Sequence, residues 1–191
     1  MKKFFITAVM LLGFSSLFGQ GGQWNLDKSH SSIGFTVVHM VISEVHGRFG
    51  DFTVAFTSSK ADFSDASVEV VIKTNSINTD NTSRDNDLKS DNFFSAEKHP
   101  EIRFKSDSFE KVDSNKYKIV GDLTMRDVTK KVTFNAEYRG SVKTQRGTVS
   151  AWKAIAAVNR FDYGLKWDRM IEAGFVVGEI VKIQISLELR Q

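Results

Sequence analysis

The feature of this sequence that most restricts its fold is a two-residue alternation of apolar and polar side chains. In the last run, EIVKIQISLELR, five aliphatic residues alternate with lysine, glutamine, serine and glutamate. Successive side chains of a β-strand point to opposite faces, so each run presents one apolar and one polar face. About eight such runs at short spacing are typical of a β-sandwich or a β-barrel. They lie at 31–40, 48–59, 66–77, 101–109, 116–125, 131–140, 147–160 and 179–190.

The one-sided pattern favours an antiparallel sheet whose second face meets water. Eight strands of this kind close into a barrel, which removes exposed edges, or fold into two packed sheets. An eight-stranded barrel can hold one small ligand. Of the 16 phenylalanines, four lie within the first 18 residues and the other 12 follow. Because several of these 12 fall on apolar strand faces, a barrel lumen would be apolar and deep.

The chain begins with two lysines and an apolar run from Phe4 to about Phe18, followed by small and polar residues. This order is typical of a secretory signal peptide. The run is shorter than the roughly 20 residues of a membrane span. We therefore expect residues 1–22 to be a signal peptide, cleaved between Gly19 and Gly22, and residues 23–191 to form one periplasmic or secreted domain.

The charge balance of the expected mature chain excludes one class of partner. Removal of Lys2 and Lys3 reduces the 26 basic residues to 24, against 23 acidic residues, so the net charge falls from +3 to +1. No basic tract with interleaved aromatic residues is present, and we expect no binding to nucleic acid. The sequence has no cysteine. An exported domain of this kind depends on its hydrophobic core for stability.

Two segments interrupt the strand pattern. In residues 78–100, Thr82 and Asp85 have the spacing of a helix capping box, which predicts a short helix from about Ser83 to Ser90. In residues 161–178, the stretch 168–173 between flanking glycines allows one further short helix before the last strand.

Several stretches resemble, in order, the YceI-like family of secreted lipid- or polyisoprenoid-binding proteins, over about Trp24 to Leu189. They are WNLDKSHSSIGFTVVHM, VHGRFGDFTVAF, SRDNDLKSDNFFSAEKHPEIRFKS, GDLTMRDVTKKVTF and NRFDYG. The resemblance implies an all-β fold, an extended antiparallel eight-stranded lipocalin-like barrel with one or two short helices. It also implies an elongated amphiphile in the lumen, such as a polyisoprenoid, an isoprenoid quinone precursor or a fatty-acid-like lipid. We expect no cofactor. We also expect transient contact with a membrane, and either a monomer or a homodimer.

The apolar faces predict which side chains line the lumen. Ile33, Phe35 and Val37 share one face of the first strand, and Phe52 lies on the apolar face of the second. Phe93 and Phe94 follow the predicted helix and either line the lumen entrance or plug one end of the barrel. The predicted lipid contacts are therefore Ile33, Phe35, Val37, Phe52, Phe93 and Phe94.

Three polar residues are candidates for the lipid head group. His39 continues the apolar face of the first strand, and its imidazole either meets the head group or is hydrogen-bonded to backbone. Arg84 and Asp85 lie in the first turn of the predicted helix, where a guanidinium and the helix N-terminus suit an anion. The alternative for this pair is an ordinary cap with a surface ion pair. If all three are structural, either the head group belongs near Lys98, Arg126 or residues 159–164, or the ligand is neutral.

Catalytic motifs are absent from the sequence. The four histidines lack metal-binding spacing, and neither a Gly-x-Ser-x-Gly turn nor a glycine-rich phosphate loop occurs. We expect no catalytic residue, no metal site and no enzymatic activity. The expected function is carriage or storage of a lipid outside the cytoplasm. Two alternatives stay open: an enzyme that acts on such a lipid through a His–Asp pair, and a structural β-module with a filled core.

Overall fold

The computed structural model describes residues 22–167, 169–172 and 174–191. The predicted signal peptide lies almost wholly outside them and stays a prediction. The strands are β1 (Gln23–Leu26), β2 (Ser32–His39), β3 (Ser43–Phe49), β4 (Phe52–Thr57), β5 (Ser67–Lys73), β6 (Ile77–Asn78), β7 (Glu101–Lys111), β8 (Lys116–Met125), β9 (Val128–Thr144), β10 (Gly147–Asn159), β11 (Met170–Ile171), β12 (Gly174–Phe175) and β13 (Val177–Arg190). The helices are α1 (Thr82–Lys89) and the 3-10 helices η1 (Lys28–His30), η2 (Thr74–Ser76) and η3 (Arg160–Tyr163).

The main sheet closes into an antiparallel barrel. Its order β1-β4-β5-β7-β8-β9-β10-β13 returns to β1, where Leu26 pairs with Leu189. Strands β1 and β2, separated by η1, both pair with β13, while β4 pairs with β1 and β3 with β2. Counting β1 with β2 and β3 with β4 as single bent strands gives eight strands. The predicted eight-stranded antiparallel barrel is confirmed.

One end of the barrel is filled by a cluster of aromatic rings, which we call the aromatic floor. Neighbouring ring centroids in it are 4.9 to 6.1 Å apart. Tilted and edge-to-face rings of this kind bury large apolar areas in favourable geometry. Its members are Trp24, Phe56, Phe63, Phe109, Tyr117, Tyr138 and Trp152.

Phe63 reaches the floor from the loop between β4 and β5, and the carboxylate of Asp65 organises that loop. Asp65 accepts hydrogen bonds from the side chains of Ser59 and Ser58, the latter at 2.7 Å, and from the backbone N–H of Ser59 at 3.0 Å. These hydrogen bonds, that from the Ser59 side chain first, hold the pKa of Asp65 well below its usual value near 3.8.

We expect Asp65→Asn to lower the melting temperature at pH 7. A carboxyl group whose pKa is lower in the folded than in the unfolded chain stabilises the fold above its unfolded pKa. That contribution is lost as the pH falls through the folded pKa, so the difference between the variant and the wild type should shrink below about pH 4. Thermal unfolding from pH 2 to pH 8 tests this, with Glu110→Gln on β7 as a control. A constant difference across that range would contradict it.

The opposite end of the barrel is closed by residues 82–99 and 160–167, which we call the cover. Strand β8 runs from Tyr117 in the aromatic floor to the turn at Arg126. Arg126 donates hydrogen bonds to the carbonyl oxygens of Phe93 at 2.8 Å and Gly164 at 2.6 Å, so it ties both parts of the cover to this turn. The rings of Phe93 and Trp167 also meet, with centroids 5.3 Å apart.

The helix expected after residue 82 is present, but its cap differs from the prediction. Asn81, not Thr82, is the N-cap, and its side chain accepts the N–H of Arg84 at 3.0 Å. Asparagine is the stronger capping residue of the two. The carboxylate of Asp85 instead accepts hydrogen bonds from Thr79. No helix in the described part of the chain is long and apolar enough to cross a lipid bilayer.

The second expected helix, over 168–173, is wrong for the residues that the structure describes. Met170 pairs with Phe175 and Ile171 with Gly174, so these residues form the β11–β12 hairpin. The cross-strand pairing uses backbone groups that a helix would need. Gly174 has a φ of +129°, which favours glycine. Asp168 and Ala173, also part of that prediction, lie outside the described residues.

Candidate functional site

Between the aromatic floor and the cover, the barrel encloses an apolar cavity. The space open to the centre of a water molecule is about 170 Å³. Inward-facing residues of β13 form one wall, following the alternation seen in the sequence; they are Val181, Ile183, Ile185 and Leu187. Among the described residues that line the cavity, Arg160 is the only one with a charged side chain.

Five of the six predicted lumen residues border this cavity. Ile33, Phe35 and Val37 lie on one wall, and Phe93 and Phe94 contribute from the cover. Phe52 does not border it. Its ring is 4% exposed and packs in the core, with the Lys28 ammonium 5.9 Å from the ring centroid. Two residues further along β4, Val54 takes the lining position. The role of these residues as lipid contacts stays a prediction.

His39 lies at the end of β2, half-buried, and is not among the residues that line the cavity. It pairs with Ser43 on one side and Val177 on the other, and its carbonyl oxygen accepts a hydrogen bond from the Ser43 hydroxyl at 3.0 Å. The register of β13 shifts between Val177 and Val181. The apolar face of β2 therefore borders the cavity as far as Val37, and His39 at its end does not border it.

Arg84 and Asp85 are engaged by Thr79 and do not border the cavity. The Arg84 guanidinium donates to the hydroxyl and the carbonyl oxygen of Thr79, both at 2.8 Å. Asp85 accepts from the Thr79 N–H at 2.8 Å and from its hydroxyl at 2.6 Å. Together the three side chains fasten α1 to the loop before it.

The charged residue at the cavity is Arg160, which is 3% exposed. Its guanidinium donates to four backbone carbonyl oxygens and lies 4.2 Å from the ring centroid of Phe161. The four acceptors are Gly178 at 3.0 Å, Leu165 at 2.6 Å, Trp167 at 2.7 Å and Val177 at 2.9 Å. These contacts connect the end of β10 to the cover and to the start of β13.

The sequence pointed to Arg160 only as a member of residues 159–164, one of the alternative regions for the head group. The two-residue alternation along β10 is a stronger indication of an inward position. Arg160 continues the inward-facing series Trp152, Ala154, Ala156 and Val158. A charge at the end of an inward face must be compensated within the protein. Here the dipoles of four backbone carbonyl groups contribute to that compensation.

The electrostatics of the cavity favour an uncharged chain. Its walls are apolar, and the positive charge of Arg160 is already surrounded by carbonyl oxygens. At the cover, burial raises the pKa of the Tyr163 hydroxyl to about 12, so this group is neutral at physiological pH. Away from Arg160, a charged group in the cavity would lack a partner of opposite sign among the described lining residues and would be costly to desolvate.

Among the described residues, one group of potential metal ligands occurs, and it lies outside the cavity. Ligand atoms of Asp27, His30 and Glu188 lie within 4.8 Å of one another. The guanidinium of Arg190, however, lies 2.5 Å from the Asp27 carboxylate and 3.0 Å from that of Glu188. Hydrogen bonds from Ser29 and His30 help to hold the pKa of Asp27 well below its usual range. Because arginine already supplies the positive charge, we assign no metal to this group.

Several known proteins are similar to this chain in sequence or in fold. A UPF0312 protein of Staphylococcus aureus is 36% identical over 168 residues, which cover 86% of this chain and 95% of the relative. The crystal structure of a Campylobacter jejuni YceI protein is 30% identical, with a TM-score of 0.71 over 87% of this chain and 96% of that one. A polyisoprenoid-binding domain from Saccharophagus degradans, at 14% identity, shares the fold with a TM-score of 0.62 over 87% and 97% of the two chains.

The family model for the YceI-like domain matches residues 24–189. That range coincides with the limits of the resemblance seen in the sequence motifs, which is thereby confirmed. The chain belongs to the YceI-like family.

Proposed function

We propose that the protein binds one elongated amphiphilic lipid, such as a polyisoprenoid, in the barrel cavity, and that it carries or stores this lipid outside the cytoplasm. The observation that carries the proposal is the apolar cavity itself, bounded by the aromatic floor and the cover. The family and its polyisoprenoid-binding relative favour a binding protein over an enzyme.

The shape of the cavity suits a long chain. Its lining along β13 begins at Val177 and continues to Leu187. At a rise of roughly 3.3 Å per residue, this wall extends about 30 Å along the strand. A hydrocarbon chain in such a space gains about 25 cal/mol for each Å² of apolar surface removed from water. Length and apolarity together support an extended lipid over a compact polar metabolite.

Export is supported by the N-terminal sequence. Lys2 and Lys3 precede an apolar run of signal-peptide length. Long lipids are nearly insoluble in water, so a carrier outside the cytoplasm must load and unload at a membrane. We therefore infer transient contact with a lipid bilayer during exchange.

Binding should raise the melting temperature of the purified, delipidated protein. A ligand that binds only the folded state adds about 2.7 kcal/mol of stability at 100 times its dissociation constant. We expect stabilisation by geranylgeraniol and by long-chain fatty acids, measured by differential scanning calorimetry. Mass spectrometry of the lipids after incubation should show no chemical change. A melting temperature that no lipid alters would favour the filled structural module, and a covalently altered lipid would favour an enzyme.

A further inference from the structure

Two neighbouring hairpins present exposed apolar side chains at the cover end of the barrel. The turn between β2 and β3 carries Met40, Val41 and Ile42, and Ile42 is 92% exposed. In the β11–β12 hairpin, Met170 is 71% exposed. The Met40 N–H donates to the carbonyl oxygen of Val176, directly after β12, at 2.8 Å, so the two hairpins lie side by side. We call Met40, Val41, Ile42 and Met170 the apolar tip.

The turn between β2 and β3 holds its apolar residues in an unfavourable backbone conformation. Met40 and Val41 have φ angles of +50° and +67°. Hairpin turns with two successive positive φ angles favour asparagine and glycine, and a β-branched residue in this region is a steric outlier. Asparagine or glycine would also suit the water around the turn. An exposed turn that is both strained and apolar therefore indicates a functional role.

The apolar tip adjoins the end of the cavity wall. His39, which precedes Met40, pairs with Val177, and Val177 borders the cavity. Arg160 holds the same stretch of backbone, because it donates to the carbonyl oxygen of Val177 at 2.9 Å. The exposed apolar surface and the cavity lining are therefore neighbours at one end of the barrel, and a lipid that left a bilayer there would have little water to cross.

The size and the charge of the apolar tip favour a bilayer over a second protein. A stable protein interface buries about 800 Å² on each partner, and four side chains offer less than that. Within residues 166–172, two basic residues are balanced by two acidic ones. Near the other hairpin, the Glu44 carboxylate lies 3.9 Å from the Lys182 ammonium. Exposed apolar side chains without a net charge beside them suit the boundary between lipid head groups and acyl chains.

We propose that the apolar tip inserts into a lipid bilayer and that the lipid enters and leaves the barrel at this end. This inference rests on the proposed function and deepens it, because it names the surface of the protein that meets the membrane. Insertion removes apolar side chains from water, and this gain offsets the backbone strain of the turn that carries them.

The rate of lipid uptake from vesicles tests the proposal. Delipidated protein is mixed with phosphatidylcholine vesicles that carry a fluorescent fatty acid, at several vesicle concentrations. If the apolar tip collects the lipid from the bilayer, the uptake rate of the wild type should rise in proportion to the vesicle concentration. Ile42→Glu places a charge at the inserted position, which a bilayer disfavours, so it should slow uptake about tenfold or more.

Val142→Glu is the matched control for this charge. Val142 is also exposed, but it lies on β9 beyond Tyr138 of the aromatic floor, at the opposite end of the barrel. We expect this variant to keep the wild-type uptake rate. Both variants should bind the same fatty acid in water with wild-type affinity, because neither Ile42 nor Val142 borders the cavity. This second measurement separates a loss of membrane contact from a loss of the fold.

A fluorescence measurement tests the contact without a new charge. Ile42→Trp keeps a large apolar side chain at the tip, and brominated phosphatidylcholine quenches a tryptophan that contacts its acyl chains. The three natural tryptophans give the wild-type background. We expect quenching above this background in Ile42→Trp and no increase in Val142→Trp.

Three outcomes would overturn the apolar tip as the membrane contact. One is an uptake rate that does not depend on vesicle concentration, because the lipid would then reach the protein through water. Another is a wild-type rate in Ile42→Glu or no added quenching in Ile42→Trp. The third is a wild-type dimer in sedimentation that Ile42→Glu dissociates, since the tip would then join two copies of the chain. In each case, binding of the fatty acid in water would leave the proposed function intact, whereas no binding in water would refute that function as well.

Discussion

Replacing Ala154 by phenylalanine is expected to abolish lipid binding, with at least a hundredfold loss of affinity, while the barrel stays folded. Ala154 lies on the inward face of β10, pairs with Ile185 and Ala136, and borders the cavity. A ring at this position occupies the centre of the lumen, where a lipid chain would have to pass. Inserting it into a filled core costs about 1–3 kcal/mol. Here the cavity offers space, so the stability loss should be smaller.

Ala157→Phe is the matched control. It introduces the same side chain three residues further along β10, at an exposed position opposite Lys182 on the outer face. Displacement of a fluorescent fatty acid should give wild-type affinity for Ala157→Phe and none for Ala154→Phe. Equal affinities in both variants would mean that the lipid does not pass through the lumen.

Replacing Arg160 by methionine should produce the largest loss of stability, several kcal/mol, since each buried acceptor left without a donor costs about 1–3 kcal/mol. The substitution keeps a long, flexible apolar side chain but leaves four carbonyl oxygens without their donor. Each unpaired buried acceptor is costly. Because two of these carbonyls belong to Leu165 and Trp167, the cover should detach from the barrel end.

Arg160→Lys tests whether the positive charge alone, or the planar guanidinium as well, is needed for stability. A lysine has three donors at one point in place of five in a planar fork, so it should recover part of the stability but not all of it. Urea unfolding with linear extrapolation measures the free energies. If the free energy of unfolding of Arg160→Met lies within about 1 kcal/mol of the wild-type value, the hydrogen bonds from Arg160 to the four carbonyl oxygens do not hold the cover in place.

The strand pattern was predictable because it depends only on alternation. The run from Ser31 to Met40 predicts β2 and places Ile33, Phe35 and Val37 toward the interior, where the structure has them. The same rule extended the face to His39, which does not border the cavity. Alternation indicates which residues share a face, but it does not show how far along the strand the cavity reaches.

The ends of the barrel were harder to predict than its walls. The partners of Arg160 are backbone carbonyls, which every residue carries, and they come from a segment and a strand that meet only in the folded chain. Phe52 and Val54 share a strand face, yet only Val54 borders the cavity, because the position along the barrel axis decides it.

Native mass spectrometry of the protein purified from the organism that produces it tests the central claim most directly. The account predicts a wild-type complex with one long-chain lipid per chain, which gentle activation releases and fragmentation identifies. Ala154→Phe, produced and purified in the same way, should show the lipid-free mass alone. A wild type that carries no lipid, either as purified or after incubation with isoprenoid alcohols and fatty acids, would contradict lipid binding in the lumen.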